Sequence, residues 1–380
     1  MKPKKKILMI LLGERLAGAE QHVFMILPEL VKFGYNVSLL NLSRKNKKNI
    51  SDEFKRKLNE CEEKGVNILH YSLRNRFDFF SINGIAKLIY DIKPDIVHTH
   101  MIYGDLFGSI AAKKAGVRTV VSTRHYDYSF STTEIIKAKA YYTIVNRFQD
   151  RIICVSNKIA ELSEEHENFP KAKITTIPLG YSDAKVNKAE ARIKINSELG
   201  IKDELLIGSV SRLIKIKGIN YALQAAKKLK EMKIAFKWLV AGEGREKENL
   251  ILLRNELGLE NEVIFLGQRN DIHKIIAALD VMVHPTLADS FGLVVLEAFI
   301  QSTPVIATTA GALPELISNN QNGILVDPKD PGQIKQEIVR LAFNSIERKL
   351  IGENGRLRFE SFYTLEKMVL RLSNYYDHLS

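Results

Sequence analysis

Two acidic residues, Asp289 and Glu297, stand eight positions apart in the sequence, which is a little over two turns of a helix. The residues that would open such a helix are Ser290, Phe291, Gly292 and Leu293. Gly292 permits close approach to the backbone, and the free N–H groups at a helix start bind anions such as phosphate. A carboxylate two turns further on can accept hydrogen bonds from a ribose diol. The alternative interpretation is a capped helix with a solvated Glu297 and no ligand.

Two cations, Arg212 and Lys217, stand in one segment between a strand-like run and a helical run. Such a pair can hold a diphosphate and can stabilise the negative charge that develops when the diphosphate leaves. Lys215 stands between them, so an ordinary basic surface loop is the alternative interpretation.

Two glycine turns also follow strand-like runs. Gly242 and Gly244 follow the run 236–241, but Lys247 stands where the dinucleotide-binding fingerprint needs a glycine, so that fingerprint is incomplete. Gly18 follows the first strand-like run and opens a helical segment. Because glycine has no side chain, the backbone at these turns can approach a phosphate or another ligand closely.

His98 and His100 form an H-x-H pattern after a strand-like run, but a metal site needs further ligands that the sequence does not identify. The chain also contains no D-x-D pair of the kind that chelates a metal ion. We therefore predict no metal. His125 ends another strand of the first half, where its side chain can hydrogen-bond a sugar hydroxyl. A histidine that is satisfied in the core or on the surface is the alternative.

We expect the candidate site residues to lie on loops of two α/β domains. Strand-like and helical runs alternate, which favours parallel sheets with helices on both faces, and the alternation starts again near Leu205. The turn-forming segment Ile177–Asn187 is the best boundary. We predict domains at 1–182 and 183–362, with a C-terminal helix within 363–380 that can pack back on the first. Two doubly wound, Rossmann-like domains would face a central cleft at the carboxyl ends of their strands.

The expected strands are short apolar runs bounded by turn or helical segments. They are Lys6–Leu12, Asn36–Leu42, Asp95–His98, Arg118–Ser122, Arg151–Val155, Leu205–Ser211, Phe236–Ala241, Val263–Leu266, Val281–His284, Pro304–Ala307 and Gly323–Val326. The first of them follows several lysines, as in a signal peptide, but it is short and charged residues follow at once, so we interpret it as a buried strand.

The composition indicates a globular protein with more than one core, but it does not identify the binding partner. A chain of 380 residues is too long for one core, and 45% hydrophobic with 26% charged residues is ordinary for a globular protein. Cys61 and Cys154 are far apart, so a disulfide framework is not expected and a reducing compartment fits. The formal net charge of +12 requires an anionic partner or surface: nucleic acid, a phosphate-rich substrate or an acidic membrane face.

Taken in chain order, these motifs resemble those of family 4 (GT4) of the retaining glycosyltransferases, also called glycosyl transferases group 1, which have the GT-B fold. The resemblance extends over nearly the whole chain. The matching segments are Gly18–Glu20, Asp95–His100, Ile177–Gly180, Arg212 with Lys217 and Gly218, Ala241–Gly244, Val263–Gly267, and the long run from His284 through Glu297 to Glu315.

The resemblance implies a role for each candidate. The second domain would bind a nucleotide-diphosphate sugar as donor and the first would bind a glycan or lipid-linked acceptor. Arg212 and Lys217 would hold the donor diphosphate, Glu297 the ribose and Asp289 the transferred sugar, while His125 would contact that sugar or the acceptor. The other donor-binding residues would be Gly18, Gly244, Ser290, Phe291, Gly292 and Leu293.

Four departures from the family pattern leave the identity of the donor more open than the fold. Asp289 replaces a longer glutamate, Ala17 replaces the first glycine of a pair, Leu179 replaces asparagine, and Ser302 with Thr303 replaces Cys-Gly. The family retains the configuration of the anomeric carbon, so we expect a front-face reaction with no cofactor and no metal. A role in bacterial cell-envelope polysaccharide or lipopolysaccharide synthesis is expected from the resemblance alone.

The excess positive charge also fits a cytoplasmic enzyme that is peripheral on the inner face of the cell membrane. The basic residues that could contact anionic headgroups are Arg44, Lys45, Lys47, Lys48, Lys55, Arg56 and Lys57. A solvated basic face is the alternative interpretation of this segment.

Three other functions remain as alternatives. A sugar-nucleotide epimerase of the same fold would convert or hydrolyse the donor without an acceptor. A nicotinamide-dependent dehydrogenase shares the Rossmann alternation but needs a complete G-x-G-x-x-G. A basic nucleic-acid-binding protein would fit the isoelectric point of about 9.4. Because the basic residues are scattered and match no nucleic-acid-binding motif, we predict no nucleic-acid partner.

Overall fold

The computed structural model describes residues 4–16, 18–44, 50–75, 78–128 and 131–379. The chain forms two compact units. The first unit comprises Met1–Gly180 and Leu365–Ser380, and the second comprises Tyr181–Thr364. The chain therefore leaves the first unit inside the turn-forming segment that the sequence indicates, and its last helix belongs to the first unit.

A sheet of seven parallel strands forms the centre of the first unit, in the order β3-β2-β1-β4-β5-β6-β7. The strands are β1 Lys6–Leu12, β2 Asn36–Arg44, β3 Asn67–Leu73, β4 Ile96–His100, β5 Thr119–Arg124, β6 Arg151–Cys154 and β7 Ile174–Thr176. The central strands β1 and β4 are almost entirely buried, as strands covered on both faces must be, and β1 is nearly all apolar. This is the strand order of a doubly wound, Rossmann-like sheet.

Helices connect these strands. They are α1 Gly18–Lys32, α2 Asp52–Glu63, α3 Ser81–Ile92, α4 Met101–Tyr103, α5 Ser109–Lys114, α6 Thr132–Val145 and α7 Asn157–Glu167, with a π-helical turn at Gly104–Gly108. Local signals set several of the ends. Ser156, for example, caps α7 because its side chain accepts a hydrogen bond from the N–H of Ile159.

Six parallel strands form the sheet of the second unit, in the order β10-β9-β8-β11-β12-β13. They are β8 Leu205–Val210, β9 Phe236–Ala241, β10 Val263–Gly267, β11 Val281–His284, β12 Val305–Thr308 and β13 Ile324–Val326. The order again reverses beside the first strand of the unit, between β8 and β11. In such sheets the reversal opens a crevice at the carboxyl ends of the strands, where ligands bind.

Eight helices are described in the second unit: α8 Lys188–Leu199, α9 Ile219–Glu231, α10 Lys247–Glu256, α11 Ile272–Ala278, α12 Leu293–Ile300, α13 Leu313–Leu316, α14 Pro331–Phe343 and α15 Ser345–Phe362. The last helix of the chain, α16 Leu365–His378, packs on α1 within the first unit. Its Tyr376 is fully buried there and hydrogen-bonds His98.

Both strands that the sequence analysis missed lie at the edges of the first sheet. In β3, polar and apolar residues mix and most side chains are partly exposed, so its hydrophobic pattern is weak. The other, β7, has only three residues. Cys61 and Cys154 are both buried and free. Among the described helices, none combines the length and the apolar character that crossing a membrane requires.

Candidate functional site

Asp289 and Lys217 form an ion pair at the switch point of the second sheet. The Nζ of Lys217 donates to Oδ2 of Asp289 over 2.7 Å, and the two side chains are only 16% and 12% exposed. His284, the last residue of β11, lies 3.0 Å from the same oxygen through Nε2. Burial by itself would raise the pKa of Asp289, but the charge of Lys217 and the hydrogen bond from His284 outweigh it and hold that pKa well below its ordinary value. Asp289 is therefore a carboxylate at every physiological pH.

Backbone contacts fix the loop that carries Lys217 against the loop that carries Asp289. The carbonyl of Ile216 accepts hydrogen bonds from the N–H of Leu287 at 2.7 Å and from the hydroxyl of Thr286 at 3.1 Å. Gly218 has a φ of 66°, and a Cβ at this position would lie 2.0 Å from a backbone oxygen. Glycine is therefore required at position 218, where it lets the loop that carries Lys217 pack closely against the loop that carries Asp289.

Arg212 lies on the same side of the sheet, in the loop after β8. Its side chain is exposed, and among the described residues it has neither a hydrogen-bond nor an ion-pair partner. The glycine turn after β9 supports this loop from behind. A Cβ on Gly244 would lie 2.2 Å from the carbonyl oxygen of Leu213, whose N–H bonds the carbonyl of Glu243. The close approach that the sequence predicts at Gly244 is thus made by the Arg212 loop itself.

Gly292 ends the loop after Asp289 and begins helix α12 with a φ of 97°. The next residue, Leu293, is the first of the helix. The N–H of Val295 bonds the carbonyl of Gly292 at 2.9 Å, which leaves the N–H groups of Leu293 and Val294 in the first turn without an intrahelical acceptor. Phe291 is buried, and its N–H bonds Oδ1 of Asp289 at 3.3 Å. Ser290 lies in the same turn. The arrangement presents a helix N-terminus beside Lys217, as an anion site needs.

Glu297 lies one turn from the C-terminal end of α12 and carries an acidic group with an unusual titration. Burial raises the pKa of Glu297 to about 7, and the hydrogen bond from Tyr181 to its Oε1 at 2.8 Å lowers it only in part. The sequence analysis did not identify Tyr181, because its only sequence signal is a position just after the turn at Gly180. Burial therefore keeps this carboxyl group protonated to a higher pH than an exposed glutamate.

His125 lies in the first unit, directly after β5, where it contacts two other histidines. Its Nε2 lies 3.2 Å from Nδ1 of His100, and its ring centroid lies 5.1 Å from that of His22 on α1. The sequence analysis did not single out His22. His98 takes no part in this cluster through its nitrogens, because Thr123 and Tyr376 satisfy both of them.

A buried charge network beside His125 was also missed. The Arg124 side chain is 2% exposed, and it donates hydrogen bonds to the carboxylates of Glu167 at 2.8 Å and of Asp105 at 3.4 Å. Burial alone would lower the pKa of Arg124, but the charges of Glu167 and other neighbours raise it above its ordinary value. Since a buried, fully bonded arginine stays charged, this network anchors the end of β5 and thereby the position of His125.

The predicted site residues fall into two groups. Those in the second unit are Arg212, Lys217, Gly244, Asp289, Ser290, Phe291, Gly292, Leu293 and Glu297, and all lie on loops after strands or on α12. In the first unit are His125 and Gly18, which is exposed at the start of α1. Ala17, Lys45, Lys47 and Lys48, to which the sequence analysis also refers, lie outside the described residues.

Comparison with known proteins gives concordant results for both halves of the chain. Residues 16–185 match the family model for Glycosyltransferase Family 4, and residues 191–358 match that for Glycosyl transferases group 1. An Escherichia coli protein named UDP-Gal:alpha-D-GlcNAc-diphosphoundecaprenol alpha-1,3-galactosyltransferase is 29% identical over 311 residues, which cover 79% of each chain.

Solved structures agree over nearly the full length. HepE of Anabaena, crystallised with UDP and glucose, has a TM-score of 0.85 at 21% identity and covers 99% of this chain and 100% of its own. The lipopolysaccharide outer core galactosyltransferase WaaB has a TM-score of 0.74 at 17% identity, covering 98% of this chain and 99% of its own. The family models together match most of the sequence, and the solved structures share its two-sheet fold. The chain therefore belongs to the family 4, or group 1, glycosyltransferases, which have the GT-B fold.

Proposed function

We propose that this enzyme transfers a sugar from a nucleotide-diphosphate sugar and that the second unit binds this donor. One observation carries the proposal: two cations, Arg212 and Lys217, lie at the strand-order reversal together with the N-terminus of α12. Arg212 has no anionic partner among the described residues, so a donor diphosphate would supply one. Glu297, further along α12, would accept hydrogen bonds from the ribose.

The reaction proposed is a front-face displacement that retains the anomeric configuration. The acceptor oxygen forms a bond to the anomeric carbon on the face from which the diphosphate departs. The bond between that carbon and the diphosphate oxygen breaks, and the proton of the acceptor hydroxyl passes to the leaving diphosphate. Arg212 and Lys217 would stabilise the charge that develops on this group, an effect worth roughly 3–4 kcal/mol for one well-placed donor.

Asp289 would act on the sugar and on Lys217 together. Its Oδ2 already holds Lys217 and His284, and its Oδ1 accepts from Phe291. A shorter side chain than glutamate fits this double anchoring, and a sugar hydroxyl would share Oδ1. His125 is proposed to contact the transferred sugar or the acceptor, and Gly18 to let the backbone approach the donor. The proposed chemistry uses these side chains alone and needs neither a metal nor another cofactor.

For the substrates, the names of similar proteins suggest specific classes. HepE binds UDP, and the E. coli relative uses a UDP-sugar with a diphosphoundecaprenol-linked acceptor. We propose a UDP-sugar as donor and a glycan or lipid-linked glycan as acceptor, in cell-envelope polysaccharide or lipopolysaccharide synthesis. A sugar-nucleotide epimerase is the second candidate, since the same donor site would serve it.

We also propose a cytoplasmic enzyme that binds the anionic inner face of the membrane. In the basic segment that the sequence analysis proposed for this contact, Lys55 and Lys57 form ion pairs with Asp52 and Glu60. Helix α6 is a second candidate surface. Ile136 and Ile144 are 63% and 57% exposed, and they are accompanied by Lys139 and by Lys137, which pairs with Glu134.

A combined binding and turnover experiment tests the donor proposal. Purified enzyme is incubated with UDP-, GDP-, ADP- and dTDP-sugars and a lipid-linked acceptor, and both thermal stabilisation and sugar transfer are measured. Lys217→Met should lose turnover by about 10²–10³-fold. Lys215→Met, on the same loop, is the matched control and should keep it. Equal turnover in the two variants would refute the proposed role of Lys217. Conversion of the donor without an acceptor would favour the epimerase, and stabilisation by a DNA duplex alone would contradict both.

A further inference from the structure

Three imidazole rings converge in the first unit from separate elements. His22 lies on α1, His100 ends β4, and His125 follows β5. One nitrogen of each lies within 4.8 Å of the corresponding nitrogens of the other two. The ring centroids are 5.1 Å apart for His22 and His125, 5.5 Å for His100 and His125, and 6.1 Å for His22 and His100. The three rings thus enclose one small space.

Hydrogen bonds leave part of this cluster unsatisfied. His22 is 5% exposed and His100 is 1% exposed, and within the described residues Nδ1 of His22 and Nε2 of His100 have no hydrogen-bond partner. A buried polar atom without a partner costs about 1–3 kcal/mol. The convergence of the three rings, together with this unused hydrogen-bonding capacity, indicates a site for a ligand that accepts nitrogen lone pairs.

The protonation of the cluster agrees with that interpretation. Burial lowers the pKa of His22 to about 4, and burial followed by the charges of neighbouring histidines lowers the pKa values of His100 and His125 well below the ordinary value. Burial therefore favours the neutral form of each ring, which has one nitrogen with a lone pair. Neutral imidazole is the form of histidine that ligates metals.

We infer that His22, His100 and His125 form a site for a divalent transition-metal ion, with zinc as the representative case. Three imidazole nitrogens with a fourth position left open are a recognised zinc ligand set. Magnesium and calcium prefer oxygen ligands and would not be held by this cluster. The H-x-H pattern in the sequence contributes only His100, and the two remaining ligands come from elements distant in sequence.

The metal would inhibit the enzyme. This consequence rests on the proposed function, because it assumes that His125 contacts the sugar or the acceptor. An imidazole nitrogen bound to zinc has no lone pair left for a substrate hydroxyl. The binding of zinc to the cluster does not depend on that assumption and can be measured by itself.

The test uses the full-length protein, freed of metal with a chelator and then dialysed. Zinc binding is measured by calorimetry, and Co²⁺ is added separately to follow the visible absorption of a nitrogen-ligated ion. The wild type should bind one equivalent. His22→Phe retains a ring of similar volume but no nitrogen, and should bind zinc at least tenfold more weakly. His70→Ala removes an exposed histidine away from the cluster and should bind like the wild type.

Circular dichroism and thermal unfolding establish that His22→Phe is folded, and His100→Gln provides a second variant with the same expectation. Absence of stoichiometric binding to the wild type, or unchanged binding in both folded variants, would refute the metal site. Zinc that binds but leaves sugar transfer unchanged would refute the inhibition. If the metal-free wild type transfers no sugar from any donor, the proposed function fails while the metal site is still decided by the binding data.

Discussion

Replacement of Glu297 by glutamine should stabilise the protein at high pH and weaken donor binding. Glutamine keeps an oxygen that accepts the hydrogen bond from Tyr181, but it cannot ionise. In the wild type, burial raises the pKa of Glu297 from 4.5 to about 7. A group whose pKa is raised on folding contributes stability that is fully present below about pH 4.5. This stability is lost as the pH rises through about 7.

The magnitude follows from this shift. One pKa unit corresponds to about 1.4 kcal/mol, so ionisation of a buried Glu297 destabilises the folded state by roughly 3 kcal/mol. The side chain is partly exposed, which reduces the effect to about 2 kcal/mol between pH 5 and pH 8. The free energy of unfolding of the wild type should fall relative to that of Glu297→Gln by this amount over the same range.

Urea unfolding of both proteins at pH 5 and pH 8 measures the difference, with a fluorescence signal from Trp238, the one tryptophan, which lies in the same unit as Glu297. Donor affinity is measured at pH 8 on the same preparations. Loss of hydrogen bonds to a charged group should weaken binding of the UDP-sugar by about 10- to 100-fold. A stability difference that does not change with pH would refute the reasoning about burial, and unchanged donor affinity would refute the ribose contact.

Three other variants have defined outcomes. Glu167→Gln should destabilise the first unit by about 3–5 kcal/mol in chemical unfolding, because it leaves the buried Arg124 partly unpaired. Unchanged stability would contradict the assigned network. Gly311→Ala should lower turnover, because its Cβ would lie 2.1 Å from the backbone oxygen of Asp289, and a fully active variant would show that this loop can move freely. The double variant Ile136→Ser with Ile144→Ser should co-sediment less with anionic vesicles than the wild type. The control variant Leu252→Ser, at an equally exposed position in the second unit, should co-sediment like the wild type. Equal binding of all three proteins would exclude α6 as the membrane contact.

Most strands and the principal helices could be predicted because their signals are local. A buried parallel strand such as Val281–His284 is apolar in its first three residues, and a helix such as Ile219–Glu231 has a regular amphipathic pattern. The two edge strands of the first sheet have no such pattern, which explains why Asn67–Leu73 and Ile174–Thr176 were missed. The ordered motifs also indicated the family, because their residue types and spacing are themselves sequence properties.

The contacts between distant residues could be decided only by the tertiary structure. Nothing local in the sequence pairs Lys217 with Asp289 or Tyr181 with Glu297, because each pair meets only when separate strands end at the same edge of a sheet. The same holds for His22 beside His125. Burial then sets the chemistry of these groups: two acidic residues on one short segment have opposite pKa shifts, since Asp289 meets a lysine and Glu297 does not. The sequence determined which groups are available, and the fold determined which of them are charged and which lie together.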